Sequence, residues 1–322
     1  MSSPLHFLHS DQSDSVLTGI YSINTGRPFA ADLASGLLYL MPDRNVLATA
    51  HILVPSRRAA QALSAAFLDV ADGQPLILPI ITALGDVDEF SPNMLPHYGA
   101  EIPPAMDKVE RQLLLSQLIQ RLQIGGRAIS PTQAITLSIS LCALLDQVSL
   151  SGGSPERLDE VFPDDFATHW GSIKRFLDIV FQRWPEIVAE KHLMDPGMRA
   201  RGLLSAQCED WRQNPPVHPV IIAGSTGSLP STRALMKVVK GLPAGMIVLP
   251  GLPDTALSED DCLAIRADIG HPLYQLLETL GALDVSSEAV QCWVHKPKSQ
   301  SSDKDYYTAQ RQALFLEVFR PA

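Results

Sequence analysis

Apolar positions follow two rhythms along this chain, one of short continuous runs and one of helical spacing, and the switch between them divides the sequence. Three apolar runs bounded by turn residues, Val46 to Val54, Pro219 to Ala223 and Met246 to Leu249, read as buried strands of a parallel sheet. Each is tied to a helix. The first runs into Arg57 to Leu68, the second reaches Thr232 to Val239 through a Gly-Ser loop, and the third follows that helix after Gly241-Leu242-Pro243. Leu76 to Ile81 is a further strand candidate, ending in the polar stretch Gly85-Asp86-Val87-Asp88-Glu89. Strand and helix alternate at both ends of the chain, which favours an α/β sheet with right-handed crossovers.

From about Pro104 to Trp211 the strand pattern is almost absent. Ser130-Pro131-Thr132-Gln133 carries the N-cap, the N1 proline and the N3 glutamine of a helix start, and the run to Leu150 is apolar nearly all round, so burial is expected. Its uncharged part, Ala128 to Leu145, is broken by Ser130, Pro131, Thr132, Gln133, Ser138 and Ser140 and is not read as a membrane span. Trp170, Ile173, Phe176, Leu177, Val180, Phe181 and Trp184 form an apolar stripe, and Asp195-Pro196 opens a helix to about Trp211. Lys296 to Asp305 reads as a linker before a last helix, Tyr307 to Phe319, whose apolar face implies further chain to pack against.

The expected segments are 1–103, the first part of an α/β domain; 104–216, a helical insertion; 217–294, the remainder of the α/β domain; and 295–322, a linker with a terminal helix. A helical block between early and late strands of one sheet is the arrangement of a superfamily 1 helicase domain. The expected fold class is therefore α/β, a P-loop NTPase (superfamily 1 helicase)-like parallel sheet with a large all-helical insertion.

Composition narrows the chemistry. At 322 residues with 46% apolar content the chain can fill a sizeable core. A net charge of −10 opposes non-specific adhesion to nucleic acid, so any such contact should be local or depend on a partner. Cys142, Cys208, Cys262 and Cys292 lie far apart with no C-x-x-C pair, which encodes neither a zinc nor an autonomous iron–sulfur site and suits a reducing cytoplasm. The N-terminus lacks the basic and apolar segments of a signal peptide.

Two strand-to-helix junctions are candidates for chemistry. At His51-Ile52-Leu53-Val54-Pro55-Ser56-Arg57-Arg58, where a nucleotide-binding protein would carry a phosphate loop, the glycines and the Lys-Ser/Thr pair are missing. Two arginines at a helix start oppose the macrodipole, which is explained either by solvent exposure or pairing with acids such as Asp86, Asp88 or Glu89, or by a phosphate or DNA contact. The loop Ala223-Gly224-Ser225-Thr226-Gly227-Ser228-Leu229-Pro230 lies where an NTPase needs a magnesium-binding acid, and it has none. It reads either as a tight turn capped by Ser228 or as a polar loop against a phosphate backbone. Ser56, Arg57, Arg58, Ser225, Thr226 and Ser228 are thus the contact candidates, with no catalytic or metal residue among them.

A rival reading takes Ala223-x-Ser225-x-Gly227 as a nucleophile elbow, with Asp254 and His271 following in the Ser, Asp, His order of a serine α/β-hydrolase. The helix start several residues beyond Ser225 argues against it. His271 reads as a cap or packing residue, Trp170, Trp184 and Trp211 as core, and Lys108 and Arg111 as part of a solvated face.

Ile52-Leu53-Val54-Pro55-Ser56-Arg57-Arg58-Ala59-Ala60, Leu84-Gly85-Asp86-Val87-Asp88-Glu89, Ile221 through Pro230, Val248-Leu249-Pro250-Gly251-Leu252 and His271-Pro272-Leu273-Tyr274 together resemble the N-terminal region of the alphaproteobacterial AddB family. The resemblance covers about residues 46 to 283; Ile81 departs from it where a basic residue is expected. It implies the helicase-like part of a subunit that, with the motor subunit AddA, resects double-strand DNA breaks, its ATP motifs degenerate and its insertion corresponding to subdomain 1B. It also implies no cofactor in this chain: ATP and magnesium belong to the partner, and the nuclease with its iron–sulfur cluster lies downstream. The implied partners are an AddA-type subunit and DNA ends, single- or double-stranded and held weakly by this chain alone, with no membrane and a cytoplasmic location.

Overall fold

The computed structural model describes residues 18–84, 102–121, 123–124, 127–152, 183–253 and 257–293. In chain order, β1 (Gly19–Ile23) leads to α1 (Phe29–Leu40) and α2 (Arg44–Thr49), β2 (His51–Val54) to α3 (Arg57–Ala71), and β3 (Ile80–Ala83) to a helical region. That region holds α4 (Lys108–Gln120), a hairpin of β4 (Gln123–Ile124) and β5 (Arg127–Ala128), α5 (Pro131–Ser151), α6 (Trp184–Glu190) and α7 (Pro196–Gln213). Then β6 (Val220–Ala223) leads to α8 (Pro230–Lys240), β7 (Gly245–Pro250) to α9 (Glu259–Ala267) and α10 (Tyr274–Ala282), and β8 (Gln291–Cys292) follows.

The chain is α/β: the six long-range strands form one sheet in the order β3-β2-β6-β7-β1-β8, every pairing parallel. Successive side chains of a strand point to opposite faces, so each apolar run feeds two cores. Leu53, Ile222, Ile247 and Ile20 stand in register across one face, where Leu204 and Trp211 of α7, Leu235 and Met236 of α8 and Leu276 of α10 cover them. Ile52, Ile221 and Met246 face the other side with Leu33 and Leu37 of α1 and Phe67 of α3. Burial on both faces explains why these strands read as continuous apolar runs rather than alternating ones.

Leu115, Ile119, Leu141, Leu145, Trp184 and Val188 form a third, separate core in α4, α5 and α6. Its helix starts are as the sequence reads them: Ser130 and Gln133 form a capping box at α5, and Asp195 accepts from Gly197 N at α7. Helix α7 belongs to both regions, packing on α8 beneath the sheet and on α5.

Several expectations change. Only His51–Val54 of the run from Val46 is strand; Asp43 caps α2 before it, and Leu47 is buried while Val46 is exposed. The strand expected from Leu76 begins at Ile80, as β3, because its pairing partner β2 begins at His51, which stands opposite Ile80. Helix α5 is not buried all round: Ala134, Ser138, Leu141, Leu145 and Ser149 face inward, whereas Ile135, Leu137, Ile139 and Leu144 are exposed. By length and composition it could cross a membrane, but Asp146 ties it into the helical core.

Arg111 is not on a solvated face but buried, at 4% exposure. Its Nη1 donates to Asp146 Oδ1 at 2.8 Å and its Nη2 to Asp195 Oδ1 at 3.2 Å; Nε lies 2.9 Å from Asp195 Oδ2 as an ion-pair contact without hydrogen-bond geometry. Trp184 Nε1 donates to the same Oδ2 at 2.9 Å, so one carboxylate joins α4, α6 and α7. Trp184 and Trp211 are core residues, as expected. The stripe from Trp170 to Phe181, the acids Asp86, Asp88 and Glu89, and the linker and terminal helix lie outside the described residues.

Candidate functional site

Parallel strands deliver all their following loops to one edge of the sheet, and a crevice opens where neighbouring strands send their helices to opposite faces. Here that happens twice. Strands β2 and β6 are neighbours, yet α3 lies on one face and α8 on the other; β1 and β7 likewise send α1 and α9 to opposite faces. The first crevice joins the two halves of the candidate set, since the loop after β2 carries Ser56, Arg57 and Arg58 and that after β6 carries Ser225, Thr226 and Ser228.

Ser56 has extended backbone and its Oγ accepts from Ala59 N at 3.2 Å, which caps α3. Arg57 and Arg58 follow in the exposed first turn, which contains no acid. Opposite them the β6 loop is built on two glycines with positive φ. Gly224 stands at +73° with a virtual Cβ only 3.2 Å from the Phe29 ring, and Gly227 at +66° with one 2.6 Å from Thr279 Cγ2, so neither position accepts a larger residue unstrained.

Thr279 Oγ1 donates to the Thr226 carbonyl at 2.6 Å, fastening the loop to α10. Ser225 is buried and its Oγ accepts from Gly227 N at 3.2 Å; the exposed hydroxyl-bearing residues are Thr226 and Ser228. Ser228 does not cap α8. The N-cap is Leu229, which has no side-chain bond, and Pro230 at N1 sets the helix start by its fixed φ.

These facts also remove the elbow geometry. Helix α8 starts at Pro230, well beyond Ser225, so its N-terminus cannot help form an oxyanion hole around that residue. His271 is buried and its Nδ1 accepts from Leu273 N at 3.1 Å, a tautomer that puts the neutral ring's proton on Nε2 and leaves no lone pair for a serine proton. Asp254 lies outside the described residues.

The second crevice, beside β1, was not found in the sequence reading. Its loop, Asn24-Thr25-Gly26-Arg27-Pro28, joins the first strand to the first helix. Thr25 Oγ1 donates to Asn24 Oδ1 at 3.2 Å, and Gly251 N and Leu252 N of the β7 loop donate to Ile23 O at 2.7 Å and to Ser22 Oγ at 3.1 Å. Arg27 Nε is paired with the carboxylate of Asp32 in the first turn of α1, and Trp293 Nε1 donates to the Asp32 carbonyl at 2.9 Å. An internal carboxylate thus already occupies the favourable end of the α1 dipole. The signal was present in the apolar positions Ile20, Ile23, Phe29, Leu33 and Leu37 around Gly26-Arg27-Pro28.

No protein-family model matches the chain, and no curated protein matches it.

Proposed function

We propose that this chain is a non-catalytic, helicase-like scaffold of an AddAB-type helicase–nuclease for double-strand break repair, guiding DNA and contacting the motor subunit. Its sheet is compatible with a P-loop core of the superfamily 1 kind: the first strand is interior, the last strand stands outside it, and a helical region interrupts the succession. The observation that carries the reading is the chemistry of the strand-end edge. A motor needs a glycine-rich phosphate loop with Lys and an acid at a neighbouring strand end. The β2 loop, where the sequence suggested a phosphate loop, offers Ser56, Arg57 and Arg58, the interior β1 strand's loop offers an Arg27–Asp32 pair, and the β6 loop offers Ser225, Thr226 and Ser228.

In this reading the exposed Ser56–Arg58 turn and the Thr226 and Ser228 hydroxyls beside it take a DNA backbone phosphate. ATP and magnesium act on the AddA-type partner, an iron–sulfur cluster belongs to a downstream region, and the complex works in the cytoplasm.

Fluorescence anisotropy with a labelled single strand, read across a salt series, tests this. Binding is expected to be weak and salt-dependent, and replacing Arg57 and Arg58 by alanine should lower the log–log salt slope by about 1.4. Parallel titration with a fluorescent Mg·ATP analogue should show no binding. Nucleotide binding at the β1 loop, or DNA binding indifferent to both arginines, defeats the proposal.

A further inference from the structure

At the opposite edge of the sheet, away from every loop considered above, two histidines meet. His51 opens β2, and His218 stands just before β6; His51 N donates to the Pro219 carbonyl at 2.9 Å, which fixes the two chain segments side by side. The rings lie with centroids 4.0 Å apart and planes inclined by 40°. His51 Nδ1 and His218 Nε2 are both buried without a hydrogen-bond partner, and His51 is only 6% exposed.

Buried polar atoms of native proteins are almost always satisfied, and an orphan calls for a missing water or ion. Two orphans on adjacent rings point to one species that serves both. Burial, and for His51 also the neighbouring His218, holds both imidazoles below their ordinary pKa, His51 at about 4. They are therefore neutral at pH 7 and carry a lone pair each, the form that ligates metals. The two rings are in contact at 4.0 Å between centroids, so the two orphaned nitrogens belong to one small buried locality.

We infer that His51 and His218 form a two-imidazole site for a borderline divalent transition metal, with copper(II) preferred over nickel(II) and zinc. Imidazole ligands without carboxylates select these ions over magnesium or calcium, and the order among them follows the general ranking of divalent affinities. Among the described residues no group of three or more His, Cys, Asp or Glu converges, so these two imidazoles are the protein ligands the site offers.

Calorimetric titration of the full chain with copper(II), nickel(II), zinc and magnesium chlorides at neutral pH reads this directly. One copper equivalent should bind more tightly than the background from the other histidines, with magnesium inert. His51→Gln and His218→Gln should each weaken that equivalent by at least about tenfold. Copper EPR of the wild type should show two coordinated nitrogens, and nitrogen-15 shifts on adding zinc should move both His51 and His218. The spectra decide the matter even where a variant fails to fold. Absence of the tight equivalent, its persistence in a folded variant, or shifts confined to other histidines would each overturn the inference and leave a bridging water as the answer to the two orphans.

Discussion

The sheet and the helical region are held by different physics. Across the sheet, the row Leu53, Ile222, Ile247 and Ile20 on one face and the row Ile52, Ile221 and Met246 on the other are apolar and close to fully buried. In the helical region the apolar core is smaller, α5 shows Ile135 and Ile139 to the outside, and the elements are joined through a buried guanidinium shared by Asp146 and Asp195. Apolar burial is non-directional and spread over many contacts, so single losses there are graded. A buried ion pair concentrates its effect, because removing one partner strands the other's charge. The helical region thus adds one concentrated buried charge cluster to a smaller apolar core, whereas the sheet is held by apolar contact along its length.

Breaking that cluster gives the largest expected effect. Arg111→Ala leaves Asp195 buried beside Trp184 and should cost about 3–5 kcal/mol. Amide hydrogen exchange should locate the loss in α4, α5 and α6, with Trp184 fluorescence changing alongside. Equal loss of protection in β2, β6 and β7 would show that the two regions are not energetically separable.

Leu53→Ala is the matching probe of the sheet and should cost about 2–5 kcal/mol, typically less than the arginine loss. Amide hydrogen exchange should locate its loss across β2, β6 and β7 and the helices that cover them, with α4, α5 and α6 keeping their protection. A cost confined to β2 and β3 would contradict a continuous core.

The smallest effect sharpens the comparison by pH. His51 has a folded pKa lowered to about 4 from 6.5, so between those values the unfolded chain takes up a proton that the folded chain refuses. Stability contributed by the neutral ring is therefore complete above about pH 6.5 and is lost as pH falls toward 4, by on the order of 2 kcal/mol once partial solvent access is allowed for. Thermal melts across this range should lose that slope in His51→Phe. A slope unchanged by the substitution would assign the acid sensitivity elsewhere.

How much of this was legible in the sequence follows from how local each signal is. Ser130-Pro131-Thr132-Gln133 and Asp195-Pro196 specify their helix starts within four residues, and both caps form as read. The β6 and β7 strands were visible because burial on both faces leaves an unbroken apolar run. Strand β1 was missed although its residues are equally apolar inside, because Tyr21 and Ser22 interrupt the run; Ser22 is there to receive Leu252 N from a loop 230 positions away. Arg111 was misread for the same reason, since its charge looks solvent-bound until Asp195 arrives from a residue separation of 84.

The candidate edge divides in the same way. The absence of a glycine-rich phosphate loop at Ser56–Arg58 and of an acid at Ser225–Ser228 is written in residue types and needs no coordinates. That these two turns share one crevice is a consequence of strand order, whereas the Ser225 bond to Gly227 and the Arg27–Asp32 pair are local contacts within their own loops.

By itself, then, the sequence determined which segments are apolar enough to become strands, where capped helices begin, and which groups are missing from the loops. Tertiary structure alone decided which strand lies beside which, which charges are buried, and which histidines meet. The physical reason is range: propensity, capping and periodicity act over a turn or a strand, whereas pairing and desolvation are set by residues that become neighbours only when the chain has folded.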